Sequence, residues 1–332
     1  MYQKNKSKLG TILSLALCAL LISLAVLFVL NRQYIVDQIT VWQFKPSTEV
    51  VSLVDRAGMN DEGKFLYLAS QPKLDATSDF NKECDRVEKT TSILGCYNNL
   101  KIYIYNVTDP QVDGVREVTA AHETLHAVYL RMNQSDKTKV DKLLESEYKK
   151  LSVNKDFADL IAFYDRTEPG QRYNELHSIV GTEVASISPE LESHYKAYFS
   201  DRQKVVALSV KYISVFKANK ARADDLFAQY NTLGTSISAK TSQYNSDVQT
   251  LNGDIASFNA RAANGSFDST AQFNRERNAL INRSSTLEAV RASLADDIAR
   301  YKQIYSDYNQ IATESKKLYS LLDSTLAPSP SL

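Results

Sequence analysis

The longest hydrophobic pattern in the chain is an uncharged run from Leu9 to Leu30, interrupted only by glycine, threonine and serine. At 1.5 Å per residue, a helix of this length crosses a bilayer core of about 30 Å. We therefore predict that residues 1–32 form a short N-terminal tail and a transmembrane helix. A cleaved signal peptide is the alternative, but its apolar region usually ends in small residues, whereas this run ends in Phe28-Val29-Leu30.

The charges beside this run predict its orientation. Lys4, Lys6 and Lys8 precede it, and only Arg32 closely follows it. Under the positive-inside rule the N-terminus is cytoplasmic and the rest of the chain lies outside. We expect a single-pass protein of the cell membrane with its bulk extracytoplasmic.

This location bears on the three cysteines of the chain. Cys18 lies within the apolar run, which leaves Cys84 and Cys96 as a pair in a compartment where disulfides persist. We predict a disulfide between them; two free buried thiols are the alternative.

Residues 33–200 mix short apolar runs, turn residues and helical periodicity, which is typical of an α+β domain. The best strand patterns are Phe65–Ala69 and Lys101–Val107, and turn residues follow the second one. Apolar positions then recur with helical spacing from Val115 to Met132. Further helices are predicted over 137–151, 156–164, 172–187 and 189–199, the last starting at Ser188-Pro189.

Heptad spacing dominates residues 201–326. A first seam runs from Leu226 to Phe258, and a second runs from Phe273 to Leu322 at intervals of seven. Its intermediate positions are Ile298, Tyr305, Ala312 and Tyr319. The break at 262–269 predicts an antiparallel coiled-coil hairpin of two helices of about 50–60 residues. The seams satisfy each other, so no second subunit is required, and the tail 327–332 is predicted to be disordered.

One motif in the helix over 115–132 carries chemistry. His122 and His126 stand one helical turn apart, so both imidazoles can reach one tetrahedral metal ion. Two imidazoles and an oxygen ligand suit Zn²⁺, which lowers the pKa of its bound water to around 7. Glu123 is placed to act as the general base toward that water. The alternative is a pair of solvent-facing histidines on an ordinary helix.

A catalytic zinc needs a third protein ligand, and the segment Tyr173–Glu183 offers Glu175, His177 and Glu183. Over about residues 102–198 the chain resembles the gluzincin clan of zinc metallopeptidases, in which a second helix supplies a glutamate that begins a short Glu-x-aromatic-small run. Residues 174–178, Asn-Glu-Leu-His-Ser, are similar to that run. The resemblance implies a zincin-like metallopeptidase domain with Glu175 as the third ligand and Glu183 as the alternative.

Several neighbouring residues receive secondary roles. His177 is expected to be a core or second-shell group, although it or Tyr173 can also be an oxyanion donor near the zinc. His194 is expected to be structural. Asp113 and Glu117 lie at the start of the motif helix, where the helix dipole stabilises carboxylates, so we expect them to cap the helix rather than to act in catalysis. Ile102–Val107 is the candidate edge strand for pairing with an extended peptide.

These features predict a membrane-anchored zinc metallopeptidase that hydrolyses extracytoplasmic proteins or peptides. The alternative is a non-enzymatic envelope scaffold with a vestigial zinc site, whose hairpin binds a protein partner. Equal numbers of acidic and basic residues, 39 each, and no dense basic block argue against nucleic acid.

Overall fold

The structure is a computed structural model that describes residues 4–84 and 93–324. The described chain is mostly helical, with one small sheet. It divides into two compact units, the first comprising residues 1–215 and 319–332 and the second residues 216–318. The tail 327–332, predicted to be disordered, lies outside the described residues.

The N-terminal apolar run forms helix α1, Lys4–Leu30. Its segment Ile12–Leu30 has a mean hydropathy of 3.0 and is long and apolar enough to cross a membrane, a test that a signal sequence also passes. Helix α2, Arg32–Gln43, follows almost without a break. The Asn31 amide donates to the Leu27 carbonyl at 3.0 Å, and the Asn31 carbonyl accepts from the Ile35 amide at 3.0 Å.

Helices α3, Thr48–Ala57, and α4, Asp61–Ala69, come next. The strand predicted over Phe65–Ala69 is therefore wrong. The Asn60 side chain accepts from the Gly63 amide at 3.0 Å and caps α4, and Asp61 and Glu62 occupy its first turn. These helix-start signals outweigh a short apolar run, which fits a strand or a buried helix equally well.

The sheet has three short strands, β1 (Lys73–Asp75), β2 (Gly95–Asn98) and β3 (Lys101–Tyr105), and helix α5 (Thr77–Glu83) lies between β1 and β2 in the chain. Strand β3 is central, parallel to β1 and antiparallel to β2. A disulfide joins Cys84 to Cys96, the pair expected from the sequence.

The expectation that Ile102–Val107 is an edge strand is wrong. Both faces of β3 are covered, with Ile102 and Ile104 in the main core and Tyr103 packed with Phe80 and Cys84. A strand that is apolar on both faces belongs inside a sheet. The edge strand next to the motif helix is β2 instead.

The motif helix α6, Val115–Arg131, occupies the centre of the first unit and matches its predicted span. It packs against α3, α4, β2 and β3, and most extensively against α9. A short 3-10 helix, Pro110–Val112, precedes it. The helices that follow are α7 (Gln134–Leu151), α8 (Lys155–Thr167), α9 (Arg172–Glu183) and α10 (Pro189–Tyr195).

Helix α9 ends earlier than predicted and lies very close to α6. The buried Arg202 guanidinium donates to the carbonyls of Val184 and Ala185 at 2.7 and 3.2 Å, which satisfies backbone groups just past the helix end. A Cβ at Gly181 would lie 2.4 Å from Leu125 Cδ1. Glycine at this position therefore lets the two helices that carry the motif residues approach each other.

The hairpin consists of α11, Arg202–Ala263, and α12, Thr270–Leu322. Cross-helix pairs show that the two helices are antiparallel: the Tyr230 and Tyr301 rings stack with centroids 4.3 Å apart. Nearer the tip, Arg283 forms an ion pair with Asp254 at 2.6 Å. The turn falls within the predicted break at 262–269.

The intermediate positions of the second seam are wrong. Ile298, Tyr305, Ala312 and Tyr319 are exposed, whereas Ile304, Ile311 and Leu318 are buried. These three buried residues follow positions 301, 308 and 315 of the seven-residue series by three residues rather than four. Ile304, Ile311 and Leu318 therefore form the buried seam in this part of α12.

Candidate metal centre

Helix α6 brings the three motif residues together. The candidate ligand atoms of His122, Glu123 and His126 all lie within 4.8 Å of one another. Glu123 and His126 are buried, and the His122 side chain is 15% exposed. The single helical turn between the two histidines therefore creates the cluster that the sequence predicts, and this cluster could hold a metal ion.

Helix α9 adds an oxygen donor from Glu175. Its Oε1 lies 3.4 Å from His126 Nε2, and its Oε2 lies 3.8 Å from His122 Nε2. The alternative ligand, Glu183, lines the same cavity and acts electrostatically on His122. Glu175 is thus the carboxylate for which the structure shows contacts with both imidazoles.

Two residues of α9 orient the His126 ring by contacting Nδ1, the ring nitrogen opposite the one near Glu175. Asn174 Oδ1 lies 3.0 Å from His126 Nδ1, and Ser178 Oγ lies 3.2 Å from the same nitrogen. Asn174 Nδ2 in turn donates to Gln171 Oε1 at 3.1 Å, which assigns the amide oxygen to the histidine. In the tautomer that fits these contacts, Nδ1 carries the proton and the Nε2 lone pair faces Glu175 and the cluster.

In the metal-free cluster, burial and neighbouring charges act in opposite directions on the pKa values of the site residues. Burial lowers the pKa of His126 to about 4. Burial also acts to lower the pKa of His122, but Glu175 and Glu123 outweigh it and raise that pKa to about 9. Burial raises the pKa of Glu123 to about 8, partly opposed by His122. For Glu175 the two histidines outweigh burial and hold the pKa below its usual range.

One unsatisfied atom of the site fits a bound cation. Among the residues that the structure describes, Glu175 Oε2 is a buried oxygen without a hydrogen-bond partner. A buried carboxylate oxygen without a partner is costly unless a cation or proton satisfies it. Two imidazole nitrogens and one carboxylate oxygen form the donor set of many catalytic zinc sites.

The cluster opens into a cavity of about 560 Å³. Its walls come from α6, β2, α9, the end of α8 and Tyr212 on α11. At Gly95 on β2, an added Cβ would lie 2.4 Å from Thr119 Cγ2 and 2.8 Å from Glu123 Oε1. The edge strand therefore lies directly against the candidate general base, and only glycine fits there without displacing it.

The comparisons with known proteins identify no relative of this chain. No family model, curated protein or solved structure matches the chain. Any assignment of chemistry therefore depends on the residues themselves.

The expected oxyanion donors do not line the cavity in the described part of the chain. His177 is completely buried, and its Nε2 lies 2.8 Å from His194 Nε2. Tyr173 lies near Glu145, with its hydroxyl 3.5 Å from that carboxylate. On a helix, a residue two positions from Glu175 points about 200° away around the axis, so neither residue shares the face of Glu175. His194 is a structural partner of His177, as expected.

The carboxylates at the start of α6 are ion-paired. Gly114 occupies the N-cap position, with no side-chain cap. Glu117 is buried and bonds Arg56 at 2.6 Å, and Asp113 bonds Arg56 at 2.8 Å and Lys211 at 2.7 Å. Asp113 and Glu117 therefore have a structural role as ion-pair partners of Arg56, and they do not cap the helix.

The structure adds four residues whose roles the sequence does not predict. Tyr164 lines the cavity, where burial and the charges of Glu175, Glu183 and Glu123 raise its pKa well above the ordinary value. Asn174 and Ser178 support His126, and Gly95 shapes the wall. Asn174 and Ser178 stand one helical turn apart on α9. Their contact with His126 can be recognised only once α6 and α9 are known to pack together.

Proposed function

We propose that this chain is a metal-dependent peptidase of the gluzincin type, retained in the membrane by α1 with its larger part outside the cytoplasm. The observation that carries the proposal is the Glu175 carboxylate lying 3.4 and 3.8 Å from the Nε2 atoms of His126 and His122. His122, His126 and Glu175 would hold the ion, which we take to be Zn²⁺ from the donor set. When bound, it would polarise the substrate carbonyl and acidify a water molecule.

Glu123 moves the proton in this proposal. Its carboxylate accepts a proton from the attacking water while the water oxygen bonds to the carbonyl carbon. When the C–N bond breaks, Glu123 returns that proton to the leaving amine nitrogen. The pKa of Glu123, about 8 in the metal-free cluster, would fall beside a divalent cation, because opposite charge favours the ionised form.

Strand β2 supports a peptide as the substrate. The Tyr105 amide donates to the Leu94 carbonyl at 2.8 Å. Since paired residues alternate along an antiparallel ladder, Gly95 and Tyr97 direct their backbone groups away from β3, toward the edge of β2 that pairs with no other described strand. An extended peptide adding to that edge would lie beside Glu123. Tyr164 takes the role of oxyanion donor in this proposal, because its protonated phenol lies among the site carboxylates.

Three variants test the proposal in the full-length protein in detergent. Glu123→Gln removes the base while preserving its shape, so casein hydrolysis should fall by about 10²–10⁴-fold with bound metal unchanged. Tyr164→Phe should lower kcat by about 10²-fold and leave metal content intact. Glu190→Gln, exposed on α10, is the matched control. Bound zinc with equal, undetectable hydrolysis in wild type and Glu123→Gln would favour the scaffold instead.

A further inference from the structure

A buried ion pair connects α2, the helix after the apolar segment, to the motif helix. Asp37 is 3% exposed, and its two oxygens accept from Arg131 Nε at 2.8 Å and from Arg131 Nη2 at 2.9 Å. Gln33, one turn earlier on α2, donates to Asp37 Oδ1 at 2.9 Å. Bidentate, charge-assisted bonds of this kind fix geometry strongly, particularly when they are shielded from water.

Arg131 also contacts the edge strand. It is the last residue of α6, five residues after His126, and its Nη1 donates to the Tyr97 hydroxyl at 2.8 Å. Tyr97 lies on β2 and lines the cavity. One guanidinium thus joins α2 to two walls of the candidate active site. A second contact, between the Tyr34 and Phe65 rings at 5.9 Å, joins α2 to α4.

The connection to α1 is short. Asp37 is seven residues past Leu30, the last apolar residue of the spanning segment, and the helical hydrogen bonds continue through Asn31. At 1.5 Å per residue this separation is about 10 Å along the helix. The edge strand and the end of α6 are therefore held a short distance from the end of the spanning helix.

From this arrangement we infer that the substrates are peptide segments lying at the bilayer surface, namely the juxtamembrane segments of membrane-anchored proteins. The inference rests on the proposed peptidase function and on retention of α1. A segment that emerges from the same bilayer reaches the β2 edge without diffusing from bulk solution. A globular substrate in solution reaches the same cavity only by approaching the membrane.

The first test measures geometry without activity. In a Cys18→Ser background, Ser135→Cys places a single free thiol on the exposed first turn of α7, four residues after Arg131. A fluorophore there should transfer energy efficiently to headgroup-labelled lipid in reconstituted vesicles. A flexible Gly/Ser spacer of about 20 residues between Asn31 and Arg32 can extend by some 20 Å or more, so transfer should fall sharply. Weak transfer without the spacer would overturn the inference.

The second test measures preference. An unstructured casein segment is anchored in the same vesicles by a synthetic transmembrane peptide, with its start either directly at the anchor or about 40 residues away. Both segments are tethered to the membrane, but the effective concentration at a site held near the bilayer falls as the tether lengthens, so the near segment should be cleaved about tenfold faster than the far one. The spacer variant should lose this difference and hydrolyse free casein at the wild-type rate.

The outcomes separate the two claims. Equal cleavage of near and far segments, with free casein hydrolysed and Glu123→Gln inactive, contradicts the inference and leaves the peptidase standing. No hydrolysis of any substrate by a zinc-loaded protein contradicts the peptidase, and the substrate class falls with it.

Discussion

The two compact units of this protein bury different kinds of side chain. The first encloses ionisable groups around α6 and α9, including Glu117, Glu123, His126, Glu175 and His177. In the second, the buried residues of the described seam are aliphatic or aromatic, and ion pairs such as Lys240–Asp297 are at the surface. Burying charge costs free energy that only partners or a ligand can offset. The first unit therefore contains the candidate metal centre, and apolar packing fills the interior of the second.

The largest expected effect comes from removing a buried charge in the first unit. Arg202→Ala should cost about 3–5 kcal/mol, since it leaves carbonyls past α9 and the Glu192 carboxylate without their partner. Lys240→Ala in the second unit should cost no more than about 1 kcal/mol, because its pair with Asp297 remains partly exposed to solvent. Denaturant titration of both variants measures the contrast. Similar losses would break the distinction between the two units.

The pH dependence of stability should come from the first unit. Burial lowers the pKa of His194 to about 4 in the folded protein, against an ordinary value of 6.5. Below pH 6.5 the unfolded chain therefore binds a proton that the folded chain excludes until about pH 4. Stability should fall across this window, by roughly 3 kcal/mol at 1.36 kcal/mol per pH unit.

The matched variant for this prediction is His194→Gln, which keeps a hydrogen-bonding group beside His177. Its stability should change less between pH 6.5 and pH 4 than that of the wild type, measured by urea unfolding at each pH. Equal slopes for both proteins would show that His194 does not titrate as its burial predicts.

A smaller effect is expected from the support of the metal centre. Asn174→Ala removes the acceptor that holds the proton on His126 Nδ1, so zinc affinity should fall by about 10–100-fold. Ser178→Ala, which removes the second contact to the same nitrogen, should have a weaker effect. Competition with a chelating dye gives both affinities. Unchanged affinity in Asn174→Ala would show that this residue does not orient the ring.

The smallest effect tests the phase of the hairpin seam. Tyr305 is 54% exposed, so Tyr305→Ala should change stability by no more than about 0.5 kcal/mol. Its neighbour Ile304 is 6% exposed, and Ile304→Ala should cost about 2 kcal/mol or more. Thermal melts of the two variants compare them directly. A larger loss for Tyr305→Ala would show that Tyr305, and not Ile304, occupies the seam.

Local sequence was sufficient for features that depend on one helix. The spacing of His122 and His126 fixed their shared face, and the heptads and the break at 262–269 predicted the hairpin. Helix α4 and the central position of β3 were missed, because a short apolar run does not distinguish a strand from a helix, or an edge strand from a central one.

The remaining site residues depend on contacts across the fold. Asn174 and Gly95 acquire their roles only because α9 and β2 pack against α6. Helix α2 is tied to α6 by Asp37 and Arg131, which are 94 residues apart. Pairings at such distances leave no periodic pattern in a single sequence.

The central claim is that His122, His126 and Glu175 hold one divalent ion, and a calorimetric zinc titration tests it most directly. The full-length protein should bind one Zn²⁺ per chain. Glu175→Gln should weaken binding by more than about 100-fold, beyond the loss typical of a supporting residue, while Glu183→Gln should leave it nearly unchanged. Absence of zinc binding by the wild type, or a loss confined to Glu183→Gln, would contradict the account.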